Sequence, residues 1–177
     1  MIYYRYLDLD YKTSANKLLQ YIQEQRPDLL KKDELLWKNV DAYDVLAKVP
    51  ELPQMFESLN ISIRFLAFFV SFDPITVLHI DTEYSKARIN LPILNCENTE
   101  TRFYTMPTDS RQLSFQKNGV PFYKLDTTKC EWVDQFYLTQ PVVFRNNQPH
   151  NVISNNPLTP RVSCTIGFNE DISYLLV

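Results

Sequence analysis

The chain contains two histidines among 177 residues, and both stand where a metal ion can use them. His79 belongs to the run Thr76-Val-Leu-His-Ile-Asp81. The two-residue side-chain period of a β-strand puts His79 and Asp81 on the same face. His150 lies well downstream, after a strand-like run and Asn-Asn-Gln-Pro. Two imidazoles and one carboxylate form the ligand set that grips Fe(II) on one octahedral face and leaves the opposite positions open. His79, Asp81 and His150 are therefore the candidate metal ligands and the candidate catalytic centre.

Open positions on such an ion suit a 2-oxo acid, which chelates through its carboxylate and keto oxygen, with dioxygen taking the last place. The far carboxylate of that acid then has to be neutralised inside a low-dielectric cavity, and a planar guanidinium does this with two parallel hydrogen bonds. Arg161 is the candidate. It opens the run Arg161-Val-Ser-Cys-Thr-Ile-Gly-Phe168, in which Arg161, Ser163 and Thr165 share one face and Val162, Cys164 and Ile166 the other. The first set is expected to line a cavity and the second to enter the core.

These residues together resemble the Fe(II)/2-oxoglutarate-dependent oxygenase superfamily: an HxD at 79–81, a distal His at 150, and an Arg eleven residues further on within the pattern Arg161-Val-Ser163. More closely, the run His79-Ile-Asp-Thr-Glu-Tyr-Ser-Lys-Ala-Arg88-Ile-Asn90-Leu is similar to the motif of the aspartyl/asparaginyl β-hydroxylase group. That motif places an Arg nine and a His eleven residues after the first metal ligand. Arg88 matches, and Asn90 stands where the group has His. The resemblance implies that Arg88 and Asn90 also contact the co-substrate. Asp81 occupies a position that is Gly in the animal members of the group. The similarity is confined to residues 76–94 and 142–168, about a quarter of the chain.

What the resemblance implies is a dioxygenase that uses Fe(II), O2 and 2-oxoglutarate to hydroxylate an unactivated C–H bond, with an amino-acid or peptidyl side chain as substrate. Two rival readings keep the fold. One is a cupin-type metal enzyme that does not use 2-oxoglutarate, and the other is a non-catalytic jelly-roll binding module. Arg161 separates the first of these from the oxygenase, because only a 2-oxo dicarboxylate needs it.

The elements that must position these residues follow from periodicity. A strand-like opening, Ile2 to Leu7, precedes a helical stretch from about 13 to 60, where Leu18, Leu19, Ile22, Leu29, Leu30, Leu35 and Leu36 recur at three-to-four-residue intervals. Ser14 is placed to cap the first of two or three short helices. From residue 61 the pattern changes to β-type runs at 61–70, 76–80, 88–94, 101–105, 120–125, 133–138, 142–145 and 162–168, bounded by Pro, Asn and Asp. No helical stretch separates them, so the expected fold is mainly β: a double-stranded β-helix, the jelly-roll or cupin-like barrel, with the N-terminal helices packed on one sheet. Residues 1–177 are expected to form a single domain whose jelly-roll core spans about 61–170. Substrate selectivity is expected from the helical region and from the loop around 106–119.

Glycine occurs only at 119 and 167, so the left-handed turn positions fall to asparagines such as Asn146–Asn147 and Asn155–Asn156. The stretches Glu97–Arg102 and Thr108–Lys117 read as solvated loops. The rings of Tyr84, Phe103, Tyr104, Trp132 and Tyr137 read as core rather than pocket.

Composition removes several classes. Lys and Arg number 18 against 21 Asp and Glu, a net charge of -3, and the only adjacent basic pair in the helical region is Lys31–Lys32. A nucleic-acid partner, which would call for a clustered basic footprint, is not expected. The three cysteines, at 96, 130 and 164, form no CxxC pair and are odd in number, which argues against a disulfide framework or a thiolate zinc site. The N-terminus lacks the apolar core of a signal peptide, and the most apolar run, Phe65 to Phe72, is too short to span a bilayer. A soluble, cytoplasmic protein is the expectation.

Overall fold

Twelve strands and three α-helices emerge among the residues described by the computed structural model, which are 1–32, 37–81, 86–106, 111–115, 119–156 and 158–177. In chain order these are β1 (Tyr4–Tyr6), α1 (Lys12–Gln25), β2 (Trp37–Asn39), α2 (Ala42–Lys48), α3 (Glu51–Gln54), β3 (Ile63–Ser71), β4 (His79–Asp81), β5 (Arg88–Leu94), β6 (Thr99–Tyr104), β7 (Arg111–Phe115), β8 (Pro121–Leu125), β9 (Trp132–Tyr137), β10 (Val142–Phe144), β11 (His150–Ser154) and β12 (Arg161–Phe168). They form two antiparallel sheets of six strands, ordered β1-β10-β5-β12-β3-β2 and β7-β8-β4-β11-β6-β9. The fold is thus mainly β, and neither sheet closes into a barrel.

Side-chain alternation in the first sheet explains how the layers stack. Val162, Cys164 and Ile166 of β12 join Leu66, Phe68 and Val70 of β3 and Ile89 and Leu91 of β5 in one apolar cluster with Leu18, Tyr21 and Ile22 of α1 and Val45 of α2. That face is covered by the helices. Each such aliphatic side chain contributes about 1.5–3 kcal/mol when fully removed from water. The alternate residues of the same strands, including Arg161, Ser163 and Thr165, turn towards the second sheet. Every residue of β12 is therefore buried, one half under helices and the other half between sheets. At the far end of the sandwich Val142 and Phe144 of β10 pack with Phe103 and Phe136 of the second sheet, and this cluster closes that end.

Several sequence expectations change here. β1 appears within the opening run, and α1, α2 and α3 within the helical stretch, but Trp37–Asn39 forms an edge strand paired with Phe69 to Ala67 of β3. Three residues carry no periodicity of their own, so only the partner strand fixes their conformation. Leu35 and Leu36 lie outside the described residues. Ser14 does not cap α1: the helix begins at Lys12, the Tyr11 carbonyl accepts the Ala15 N–H at 2.8 Å, and Ser14 is buried inside the first turn.

The stretch expected as a solvated loop at Glu97–Arg102 instead enters β6, an interior strand between β11 and β9. Glu100 is buried there because Arg102 neutralises it at 2.5 Å. Arg111–Phe115, also expected as loop, is the exposed edge strand β7, and the rest of 107–118 lies outside the described residues. Left-handed backbone does fall on asparagines, but on Asn60, Asn95 and Asn98 (φ 52, 52 and 55) rather than at 146–147 or 155–156. Phe103 is core as expected. Trp132 and Tyr137 are not: β9 is an edge strand, and they stand 56% and 44% exposed. Tyr84 lies outside the described residues. Among the described residues no helix is long and apolar enough to cross a membrane.

Candidate metal centre and anion pocket

His79 and His150 meet because β4 and β11 are antiparallel neighbours whose paired positions are these two residues. Directly paired residues project from the same face of a sheet, and the imidazole centroids are 4.4 Å apart. Asp81, two residues after His79, projects from that same face, as the HxD spacing requires. One ligand atom from each of the three lies within 4.8 Å of the others, and Asp81 Oδ1 is 3.6 Å from His79 Nε2. The sequence pattern puts His150 after a strand. In the structure it begins one, β11, which the β-type runs do not mark.

Both imidazoles are oriented in the same way. His79 Nδ1 meets the Val77 carbonyl at 2.9 Å and His150 Nδ1 meets the Gln148 carbonyl at 2.8 Å. A carbonyl can only accept, so Nδ1 carries the proton in each ring and Nε2 keeps a lone pair for an ion. His150 is buried beside aromatic rings, with Phe144 at 5.6 Å and Phe103 at 6.3 Å between centroids. Burial, and then the neighbouring His79, push its pKa down to about 4, against a smaller opposing pull from Asp81. It is neutral, and so able to ligate, at ordinary pH. For Asp81, burial alone would favour the protonated form. The charge of the Arg88 guanidinium is the largest opposing effect, and the carboxyl is held below the usual carboxylate range.

A cavity between the sheets is lined by the three residues above and by Arg88, Asn90, Arg161, Ser163 and Thr165. All seven site residues expected from sequence therefore face one space. Arg88 is 1% exposed, with Nη1 3.4 Å from Asp81 Oδ2 and its guanidinium 4.8 Å from the Trp37 ring and 5.2 Å from the Phe65 ring. Asn90 accepts a hydrogen bond from Thr165 Oγ1 at 2.7 Å, which turns its amide nitrogen away from the threonine.

Arg161 is 3% exposed. Its Nη1 donates to Ser163 Oγ at 3.4 Å, its Nε has no partner among the described residues, and the Phe69 ring lies 5.8 Å from its guanidinium carbon. No acidic side chain among the described residues pairs with it, and burial lowers its pKa. A buried cation with a single neutral partner is an electrostatic deficit that an anion in the cavity would fill.

The site also contains residues to which the sequence pattern assigns no role. Trp37 and Phe144 wall the cavity. Trp37 sits in a stretch with helical spacing, so nothing local marks it. Asn146, fully buried and backing Asp81, reads from sequence as a turn residue. The donor set fits a divalent transition metal: two imidazoles, one carboxylate and oriented outer partners.

No protein-family model matches the chain, and no curated protein sequence matches it.

Proposed function

We propose that the protein is an Fe(II)- and 2-oxoglutarate-dependent dioxygenase on a jelly-roll sandwich, hydroxylating an unactivated C–H bond of an amino-acid or peptidyl side chain. The observation that carries this reading is Arg161, a buried guanidinium without a carboxylate partner among the described residues, facing the same cavity as the His79, Asp81 and His150 cluster. A metal enzyme without a dicarboxylate ligand would have no use for that charge.

The chemistry an Fe(II) centre supplies in such an enzyme is activation of dioxygen, coupled to decarboxylation of 2-oxoglutarate to succinate. The chain's own residues do the rest. His79, Asp81 and His150 would hold the ion. Arg161 and Ser163 take the far carboxylate of the co-substrate, and Arg88 and Asn90 contribute further donors within the cavity. Trp37 and Phe144 exclude water from the walls, which strengthens each of these charge interactions.

The test is calorimetric titration of N-oxalylglycine, a 2-oxoglutarate mimic, into protein loaded with Mn(II), followed by succinate release from 2-oxoglutarate under air with Fe(II) and a panel of amino acids and peptides. Binding that requires the metal is expected, and it disappears in His79→Ala. A metal-loaded protein that takes up neither N-oxalylglycine nor 2-oxoglutarate would sink the proposal.

A further inference from the structure

Asn146 lies in the connection 145–149 that joins β10 to β11 and delivers His150. It is fully buried at 0% exposure, and neither Nδ2 nor Oδ1 of its carboxamide has a hydrogen-bond partner among the described residues. A buried amide left this way carries a desolvation penalty with no return, so the position points to a bond that forms when something else arrives.

The surroundings say where that bond would form. The Asn146 carbonyl accepts the Asp81 N–H at 3.2 Å, which fixes the residue behind the third member of the metal cluster. Its side chain lies within reach of the Asp81 carboxyl, outside hydrogen-bond geometry in the metal-free protein. The two oxygens of Asp81 already differ in their neighbours: Oδ1 is 3.6 Å from His79 Nε2, and Oδ2 is 3.4 Å from Arg88 Nη1. An ion shared with the imidazoles takes the oxygen on their side, and the remaining lone pairs are open to donors.

We propose that Asn146 is a positioning residue of the metal centre, its Nδ2 donating to the Asp81 carboxylate once a divalent ion is held, so that Asp81 ligates through one oxygen. This rests on the metal-site reading above but not on 2-oxoglutarate use. Arg88 supplies charge to the same carboxylate, and Asn146 supplies direction. Single-oxygen ligation leaves more positions on the ion for other ligands.

The experiment titrates Co(II), whose visible absorption reports ligand geometry, into the metal-free protein and into Asn146→Leu and Asn146→Ser. Leu keeps the approximate volume and removes the donor, and Ser keeps a donor. Asn146→Leu is expected to bind Co(II) 10- to 100-fold more weakly with a changed spectrum, and its metal-free melting temperature should not fall. Asn146→Ser should recover part of the affinity. Equal affinity and an unchanged spectrum in Asn146→Leu would overturn the inference while leaving the metal site standing. Absence of Co(II) binding in the wild-type protein would overturn both. Should Asn146→Leu fail to fold, the wild-type protein still decides. The side-chain NH2 protons of Asn146 are expected to move downfield in 1H–15N spectra when Zn(II) is added, and no movement would count against the role.

Discussion

Replacing Arg161 by Met should move folding stability and ligand affinity in opposite directions, an outcome that a purely structural arginine would not produce. The side chain is 3% exposed and, among the described residues, its one hydrogen bond is 3.4 Å long to the neutral Ser163 hydroxyl and its Nε is unpartnered. The metal-free, ligand-free protein therefore bears the desolvation of a charge with little in return. Putting an apolar side chain of similar length in its place should stabilise the fold by about 1–4 kcal/mol. For a chain of this size each kcal/mol raises the melting temperature by roughly 2–4 °C. The same substitution removes the partner of a buried ligand carboxylate, worth about 3–5 kcal/mol, so N-oxalylglycine binding to the Mn(II)-loaded variant should weaken roughly 150- to 5,000-fold. Differential scanning calorimetry and isothermal titration read the two effects on the same preparations. A variant that melts several degrees below wild type and binds N-oxalylglycine normally would show that Arg161 is structural, and the reasoning from its missing partner would be wrong.

Three further outcomes follow from named contacts. His150 has a folded pKa of about 4 against roughly 6.5 in an unfolded chain, so the unfolded state binds the extra proton first. Metal-free stability in urea should fall by about 3 kcal/mol as pH drops from 6.5 to 4 and level off below that, and His150→Phe should flatten this slope. A pH-independent wild type would contradict the buried, neutral imidazole. Gly167→Ala would bring a new Cβ to 1.9 Å from Phe65 Cε1. Because Phe65 stacks on Arg88, the variant should lose about 1–3 kcal/mol in denaturant titration and also bind Co(II) more weakly. Phe103→Ala empties a fully buried position beside Tyr3, Phe136 and His150. Urea unfolding should show a loss of about 3–5 kcal/mol, and a loss under 1 kcal/mol would mean that this end of the sandwich is not the close-packed seal described.

The grouping of the candidate site residues was legible in the sequence because strand chemistry is local. A period of two puts His79 with Asp81, and Arg161 with Ser163 and Thr165, whatever the rest of the chain does. The alternate Val162, Cys164 and Ile166 entered the helix-covered core for the same reason. The change from helical to β-type spacing near residue 61 was local too, and β3 to β12 all lie beyond it. Glu100 shows the limit. Its charge marked a loop, yet pairing on both flanks buries β6, and Arg102 makes that burial tolerable.

Pairing between distant segments could not be read along the chain. That β11 lies beside β4 is what turns two histidines 71 positions apart into a pair 4.4 Å apart, and no spacing in the sequence encodes a neighbour. The same holds for Trp37, which becomes a cavity wall only because β3 gives it a strand to join, and for Asn146, whose amide is unpartnered only once the fold has taken it out of water. Local backbone preference and side-chain alternation are properties of neighbouring residues and survive in the sequence. Burial, and the electrostatics that burial sets, belong to groups brought together across the chain, and the tertiary structure alone decides them.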